Sequence, residues 1–207
     1  MALPVTARHD NVFFIPNHGQ WHSSVSHILR LNAGNMYFEK GGITYLFTDL
    51  DMHEGHGSNG QEAKYYALKT EFVGVSVDSR IEEGEKTGFY YNYFTGNDES
   101  KWKSGIFSSY SITYRDIYPG INLLYYGTEK EELKYDYVVS PGSDPAQIRH
   151  RYTGAEKIFT DNGDLRVETP LGTLIEKKPV AWQIINGERT VVSCRYKINS
   201  NNEITFE

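Results

Sequence analysis

Disulfides, an excess of basic residues and long apolar runs are all missing from this chain of 207 residues. Its single cysteine, Cys194, excludes an internal disulfide framework, although a secreted protein of this size can also be stable on its core alone. The formal net charge of −6 argues against a nucleic-acid partner, because binding phosphates requires a basic surface. No apolar run approaches the roughly 18 residues of a membrane span, so we expect none in this chain.

Aromatic residues and turn formers are abundant instead. Aromatic side chains make up 14% of the chain, and ten of the 16 tyrosines fall between Tyr90 and Tyr137. Such residues suit the pleated surface of a sheet, and short alternating runs separated by turn residues recur along the chain. The sequence therefore predicts an all-β fold of the antiparallel β-sandwich type, with about fourteen to sixteen strands and one or two very short helices.

Turn residues place the hairpins and the short helices. Pro119-Gly120 suits the type II turn that we expect within residues 115–120. Asp98 and Asp144 are positioned to cap two single helical turns. Three further dipeptides lie between alternating runs and predict hairpins: Gly41-Gly42, Asn162-Gly163 and Asn186-Gly187.

The domain organisation has two possible forms. Residues 1–10 are polar and unpatterned, and we expect a poorly ordered lead-in there. Residues 11–207 are expected to form a single β-rich module. The alternative is two packed sandwich-like halves, 11–103 and 105–207, that share an interface, because no flexible linker marks the boundary near residue 104.

The aromatic stretch allows a structural and a functional interpretation. Residues 89–94 carry aromatic side chains on both faces, which is typical of a strand buried between two layers. The alternative is a ligand platform, since exposed Tyr and Trp stack on sugar rings and anchor protein interfaces. Asn97, Asp98 and Trp102 lie in a turn and its cap, and they form the candidate ligand surface.

Two loops could bind a ligand or a metal ion, although a structural interpretation is favoured for both. The loop 16–21 is built from turn formers and is expected to be a folded loop capped by Trp21, with ligand binding as the alternative. The polar segment 49–63 concentrates metal-binding residue types, but its histidines lack the helical spacing of a zinc protease, so we expect a solvated loop. Its candidate ligands are Asp49, Asp51, His53, Glu54 and His56.

No catalytic set can be assembled from the sequence. Asp116, Asp136 and Glu168 lie in or beside predicted strands, but nothing places two of them across a cleft as glycoside hydrolysis requires. Cys194 has no identifiable histidine partner and is expected to be a small buried side chain. The segment 161–164 resembles the opening of a calcium loop without its distal glutamate, so a hairpin turn is favoured.

Five motifs, taken in order, resemble an N-terminal β-rich module of large secreted proteins, found notably in Bacteroidetes-type bacteria. In that family the module is followed by β-propeller repeats of the SBBP type, PKD-like domains or a gliding-motility-type C-terminal sorting domain used in type 9 secretion. The resemblance covers roughly residues 11–207 and implies a domain of unknown function without established catalytic residues. The motifs are FIPNHGQW, YYNYFTGNDESKW, YRDIYPGINLLYYG, LKYDYVVSPGSDPAQIRHRYTGAEKI and LGTLIEKKPVAWQIINGE.

The resemblance implies an extracellular or cell-surface location, with a signal peptide already removed from this chain. It also implies that neighbouring domains of the same polypeptide are partners. We therefore expect a non-catalytic module with a structural, adhesion or interaction role and no cofactor. A glycan-binding module that uses exposed Tyr and Trp is the alternative, with glycans or surface proteins as further partners, and a hydrolase acting on polysaccharide or peptide is less favoured.

Overall fold

The computed structural model describes residues 12–49, 64–128 and 132–207, so the predicted lead-in 1–10 lies outside the described residues. The described chain is all-β, as predicted, with nineteen strands, two 3₁₀ turns and no α-helix. In chain order the strands are β1 (Ile15–Pro16), β2 (Val25–Leu31), β3 (Gly34–Glu39), β4 (Gly42–Thr48), β5 (Tyr65–Phe72), β6 (Arg80–Glu83), β7 (Lys86–Tyr93), β8 (Lys103–Ser109), β9 (Ser111–Tyr118), β10 (Ile121–Gly127), β11 (Leu133–Val139), β12 (His150–Thr153), β13 (Lys157–Asp161), β14 (Asp164–Thr169), β15 (Gly172–Glu176), β16 (Ala181–Ile185), β17 (Glu188–Val192), β18 (Tyr196–Ile198) and β19 (Glu203–Phe206).

Two antiparallel sheets form the sandwich. The larger has eight strands in the order β1-β2-β3-β4-β5-β12-β19-β18, and the smaller has four in the order β11-β10-β9-β6. Their inner faces meet through rings, with centroids 5.3 Å apart for Phe38 and Tyr125 and 5.4 Å apart for Phe72 and Tyr114. The buried Tyr114 hydroxyl also donates to the Glu39 carbonyl of the opposite sheet at 3.0 Å. This apolar interior is the core of the protein.

Three small sheets surround the sandwich. One consists of β13, β14 and β15, and the other two are the hairpins β7–β8 and β16–β17. Phe14 joins the first hairpin to the start of the chain, since its backbone exchanges two 2.9 Å hydrogen bonds with Ser109. Among the described residues, the two hairpins are the sheets with the fewest strands, and apart from the bridge between Phe14 and Ser109 neither pairs with a third strand.

Two of the three predicted hairpin dipeptides form the turns as predicted. Asn162 and Gly163 both have positive φ (52° and 91°), as do Asn186 and Gly187 (53° and 84°), which is the type I′ geometry that matches the twist of paired strands. At the first hairpin the turn is Lys40-Gly41, one residue earlier than Gly41-Gly42, because Gly42 already pairs with Glu39. A Cβ at Gly42 would lie 2.1 Å from the Thr70 carbonyl oxygen, so only glycine allows β5 to approach this closely.

The region from β8 to β10 contains a break and a tight turn. The run 106–114 is divided between β8 and β9 at Tyr110, whose amide bonds the Glu85 carbonyl at 2.9 Å instead of continuing the ladder. The expected turn 115–120 is shorter, since β9 runs to Tyr118 and the turn is Pro119-Gly120, with Gly120 at φ 71°. A bulge at Asp116, with φ 47°, absorbs the irregular register between β9 and β10.

The predicted caps are confirmed, and the predicted subdivision stays untested. Asp98 caps the 3₁₀ turn Glu99–Lys101, and Asp144 caps the 3₁₀ turn Pro145–Gln147. The proposed boundary near residue 104 falls inside β8, and the large sheet combines strands from before and after it. A division into 11–103 and 105–207 therefore stays a prediction, in which the two parts would share one sheet.

Candidate binding surfaces

The aromatic stretch divides into a buried and an exposed part. The tyrosines of β9 and β10, such as Tyr114, Tyr118 and Tyr125, lie in the core. The expectation that residues 89–94 are buried between two layers is wrong, because β7 pairs only with β8 and the hairpin is covered on one face. Alternation showed which side chains share a face of the strand, but it does not show whether a second layer lies above each face.

The covered face of this hairpin packs on the loop that follows β1. The Trp21 and Tyr93 ring centroids are 5.3 Å apart, edge to face. Arg30 of β2 lies over the Tyr91 ring at 5.4 Å and donates to the Tyr93 hydroxyl at 3.3 Å. Ile106, which pairs with Tyr91, is buried. These contacts hold the hairpin against the sandwich.

The opposite face carries four exposed rings, which we call the aromatic face: Tyr90, Phe94, Trp102 and Phe107. Their exposed fractions range from 37% to 60%. The Tyr90 and Phe107 centroids are 5.7 Å apart across the strands, and those of Phe94 and Trp102 are 5.3 Å apart at the tip. Since neighbouring residues of a strand point to opposite sides and Tyr93 faces inward, both pairs point outward.

The tip of the hairpin contains the three residues predicted as a ligand surface. All three are exposed. Asp98 is engaged in its own cap, since its Oδ1 accepts from the Ser100 hydroxyl at 2.6 Å and the Ser100 amide at 3.1 Å, and these bonds lower the pKa of its carboxyl. Trp102 donates its Nε1–H to the Gly96 carbonyl at 3.2 Å. Of the three residues, Asn97 is therefore the one whose side chain takes part in none of these bonds. Their ligand role stays a prediction.

The loop 16–22 has the geometry of a folded loop. The Asn17 side chain organises it, donating to the carbonyls of Trp21, His22 and Val25 at 3.3, 2.9 and 2.7 Å. Its Oδ1 accepts from the amides of Gly19 and Trp21 at 2.9 and 3.2 Å. One side chain therefore replaces the backbone pairing that the loop lacks, and it fixes Trp21 beneath the hairpin.

We expect Asn17→Ala to lower the free energy of unfolding by about 2 kcal/mol, because several backbone groups lose their partner at once. The measurement is urea denaturation followed by tryptophan fluorescence, which also reports the loosened Trp21. His18→Ala is the matched control, since His18 is exposed and contributes its backbone amide to the loop. A loss below about 0.5 kcal/mol for Asn17→Ala would show that the loop is not organised by this side chain.

A second feature, absent from the sequence prediction, is a buried cluster of tyrosines around one carboxylate. Glu176, at the end of β15, accepts hydrogen bonds from Tyr135 at 2.6 Å, from Tyr152 and from Tyr196 at 3.4 Å. Burial first, and then the Glu176 charge, raise the pKa of Tyr135 and Tyr152 well above the usual value, so both phenols remain proton donors. We call these four residues the tyrosine–glutamate cluster.

The position of this cluster explains its use. Its members come from β11, β12, β15 and the start of β18, so one carboxylate ties the three-stranded sheet to both sheets of the sandwich. Glu176 could not be found from the sequence, because a glutamate followed by two lysines is typical of a solvated strand end.

The hairpin β16–β17 presents a second exposed apolar surface. We call it the apolar arm, and its exposed apolar side chains are 40% to 74% accessible. Trp182 pairs with Val191 and Ile184 with Arg189, and the Arg189 guanidinium lies 4.4 Å from the Trp182 ring centre. The exposed apolar residues are Val180, Trp182, Ile184, Ile185, Val191 and Val192.

The candidate catalytic residues have structural partners or stand apart. Asp116 occupies the bulge of β9, and Asp136 on β11 accepts from the Tyr126 hydroxyl at 3.0 Å. Glu168, on β14, lines an open depression in the three-stranded sheet together with Glu156. Burial raises the pKa of the Cys194 thiol and so disfavours the nucleophilic thiolate.

The candidate metal ligands give no described site. In the segment 161–164, Asp164 bonds the Lys177 ammonium and the Lys178 amide, each at 2.9 Å, and the Lys177 contact is the main cause of its lowered pKa. Asp49 accepts from the Lys64 amide at 2.8 Å. Asp51, His53, Glu54 and His56 lie outside the described residues. Within 12–49, 64–128 and 132–207, no three His, Cys, Asp or Glu side chains are grouped to hold a metal ion.

Comparison with known proteins identifies a family. The family model described as "Domain of unknown function (DUF7948)" matches residues 14–207, a span that contains every strand given above. No curated protein and no solved structure matches the chain. In the part of the chain that the structure describes, no helix has the length and apolarity to cross a membrane.

Proposed function

Given that this chain belongs to the family of that domain of unknown function, we propose that it is a non-catalytic extracellular module that packs against a neighbouring domain of a larger polypeptide. The apolar arm carries this proposal. The extracellular location and the kind of neighbour, such as SBBP-type repeats, PKD-like domains or a type 9 sorting domain, are supported by the five motifs that resemble modules of secreted Bacteroidetes-type proteins.

The arm is built as a contact surface. A hairpin of two strands is marginal in water, and stability normally requires a third strand or a packed face. Here every residue of the two strands except the partly buried Ala181 is exposed, and large apolar side chains lie on the surface where charged residues would keep the hairpin solvated. Burying a side chain such as Ile184 contributes about 1.5–3 kcal/mol, so covering the arm stabilises the covered state strongly.

We expect hydrogen exchange of the arm to slow when the neighbouring domain is present. The measurement compares this chain with the longest polypeptide that contains it, and amides of 181–192 should exchange at least about tenfold more slowly in the longer protein. The core strands β3 and β4 serve as internal controls and should exchange alike in both. Equal exchange of the arm in the two proteins would contradict the proposal.

A variant pair sharpens this experiment. Ile184→Asp with Val191→Asp places charges on the face of Trp182 and should abolish the additional protection, because burying an unpaired carboxylate is unfavourable. Tyr65→Asp is the matched control, since Tyr65 is equally exposed but lies at the end of β5, away from the arm in sequence and sheet. It should leave the protection of 181–192 unchanged.

Carbohydrate binding is the second candidate function, and the aromatic face favours it. Four rings that are fixed by their neighbours and exposed to solvent form a surface on which sugar rings can stack. The hydrolase hypothesis is less favoured, because it requires two facing carboxylates, and Asp136 is engaged with Tyr126 while Glu168 lies in a different sheet.

A further inference from the structure

The two exposed hairpins differ in the chemistry of their apolar side chains. In the arm, five of the six exposed large apolar side chains are aliphatic. In the hairpin β7–β8 and its borders, every exposed large apolar side chain is an aromatic ring: Phe89, Tyr90, Phe94, Trp102, Phe107 and Tyr110. A protein or lipid partner packs equally well on aliphatic groups, whereas the C–H faces of a sugar are attracted to the electron-rich face of a ring.

The rings of the aromatic face are held in position before a ligand arrives. Phe94 packs edge to face on Trp102, and the Trp102 indole is tied to the Gly96 carbonyl. Tyr90 lies against Phe107 on the neighbouring strand, and Trp21 supports the covered side of the hairpin. Little side-chain freedom remains to be lost on binding, which favours recognition by a small contact area.

A polar side chain lies between the two ring pairs. Asn92 is exposed and, by alternation along β7, points to the same side as Tyr90 and Phe94. Its Oδ1 accepts from the Gly105 amide at 2.9 Å, which fixes the side chain and leaves its NH₂ group available to donate. A sugar chain is recognised by two kinds of group: aromatic rings, which pack on its C–H faces, and an oriented amide, which donates to a hydroxyl.

The charges near this surface form no basic cluster for an anionic ligand. At the tip, Asp98 and Lys101 are 3.5 Å apart and largely offset each other, while Glu99 and Lys103 add one charge of each sign. The whole chain has a net charge of −6, so a polyanion approaches against the field of the protein. A ligand without charge experiences no such repulsion.

The dimensions of the surface point to a chain and not a single sugar. Tyr90 lies in β7 and Phe94 directly follows the strand, so the two are four residues apart, which corresponds to roughly 13 Å of extended chain. A ligand that contacts both ring pairs must therefore be longer than one ring, and the open face accommodates a chain that continues in both directions.

We propose that the aromatic face binds an extended, neutral polysaccharide. Sugar rings stack at Phe94–Trp102 and at Tyr90–Phe107, and the Asn92 amide donates to a hydroxyl between them. This inference rests on the second candidate function and is independent of the arm, since β7–β8 and β16–β17 are separate sheets.

The test is affinity electrophoresis of the whole chain through gels that contain a soluble neutral polysaccharide (xylan, hydroxyethyl cellulose, mannan or β-1,3-glucan), with alginate as the anionic probe. We expect at least one neutral polysaccharide to slow the protein and alginate not to do so. Trp102→Ala and Tyr90→Ala should each weaken the retardation about tenfold. Trp182→Ala on the arm is the matched control and should migrate like the parent protein, and circular dichroism checks that each variant is folded.

Oligosaccharides of the retarding polymer then test the length of the site by calorimetry. A hexasaccharide should bind at least about tenfold more tightly than a disaccharide, because only the longer ligand reaches both ring pairs. The proposal is overturned if no neutral polysaccharide slows the protein, if Trp102→Ala has no effect, or if alginate is retained best.

A protein contact on the same surface would give a different result. Hydrogen exchange of 88–94 and 103–107 in the longer polypeptide would then slow, and this too would overturn the polysaccharide proposal. The exchange of residues 181–192 is measured in the same experiment. The polysaccharide proposal for the aromatic face and the domain-contact proposal for the apolar arm can therefore fail independently.

Discussion

Glu176→Ala is expected to lower the free energy of unfolding by about 3 kcal/mol, because it removes the acceptor that three buried phenols share. Tyr152 donates to Oε1 and Tyr135 to Oε2, and neither has an equally short alternative among its described bonds. Tyr196 retains the Lys177 carbonyl at 3.1 Å and is affected less. The cost arises mainly from two hydroxyl groups that stay buried without a good acceptor.

Urea denaturation measures this effect, provided that the slope with denaturant is unchanged and the midpoint alone shifts. Glu168→Ala is the matched control. It also removes a partly exposed glutamate from the three-stranded sheet, but no hydrogen bond of the described structure involves the Glu168 carboxylate, so the expected loss is within about 0.5 kcal/mol. If the two variants lose the same stability, the tyrosine–glutamate cluster does not hold the sheets together.

Acidification from pH 7 to pH 4 is expected to lower the free energy of unfolding by about 3 kcal/mol through His27 alone. Burial lowers the pKa of His27 from 6.5 to about 4, against the opposing effect of the Glu83 charge and with smaller contributions from Lys86 and His18. The unfolded chain therefore binds the proton more readily than the folded one. The stability is fully present above pH 6.5 and is lost as the pH falls from 6.5 towards 4.

His150 adds to this acid sensitivity in the same direction. Burial is the main cause of its lowered pKa, and the Glu176 charge opposes the shift. Both ring nitrogens are buried and have no hydrogen-bond partner among the described residues, and the ring packs edge to face on Tyr152 at 5.4 Å. A phenylalanine preserves the ring contact and cannot be protonated.

His150→Phe should therefore cost little at pH 7 and should flatten the loss of stability below pH 6.5, whereas His22→Phe should not, since His22 is exposed. Chemical denaturation at several pH values from 7.5 to 4.5 gives the slope directly. A parent protein whose stability is constant between pH 6.5 and 4.5 would show that the two buried histidines are not neutral in the folded state.

The local parts of the fold could be predicted, because their signals lie within a few residues. Asn162-Gly163 and Asn186-Gly187 specify type I′ hairpins through backbone conformation, and Asp98 and Asp144 accept bonds from amides two residues away. The pairing of Phe72 with His150 has no such signal, since the partners are 78 positions apart. Composition indicated the number of layers but not the strand order.

The candidate surfaces show the same limit. Trp102 was placed at a surface because it follows a cap, which is local information. Asn92 and Tyr90 were assigned to a buried strand because residues 89–94 carry aromatic side chains on both faces, whereas the tyrosines in the core belong to β9 and β10. Whether a ring is buried depends on which other part of the chain packs on it. In the same way, Glu176 accepts three tyrosine hydroxyl groups only because strands from three sheets lie next to it.

The order of the large sheet has a consequence for how the chain folds. Strands β2 to β5 are neighbours in sequence and can pair as a meander. The free edge of β5 pairs only with β12, and β12 in turn pairs with β19 near residue 204, so these pairs join distant parts of the chain. Closing such distant pairs requires the entropy of long loops to be lost before their contacts form, which makes folding slow. A nascent chain in which β19 has not yet formed thus carries an open sheet edge, and the half-made sandwich is the state most exposed to chaperones and to aggregation.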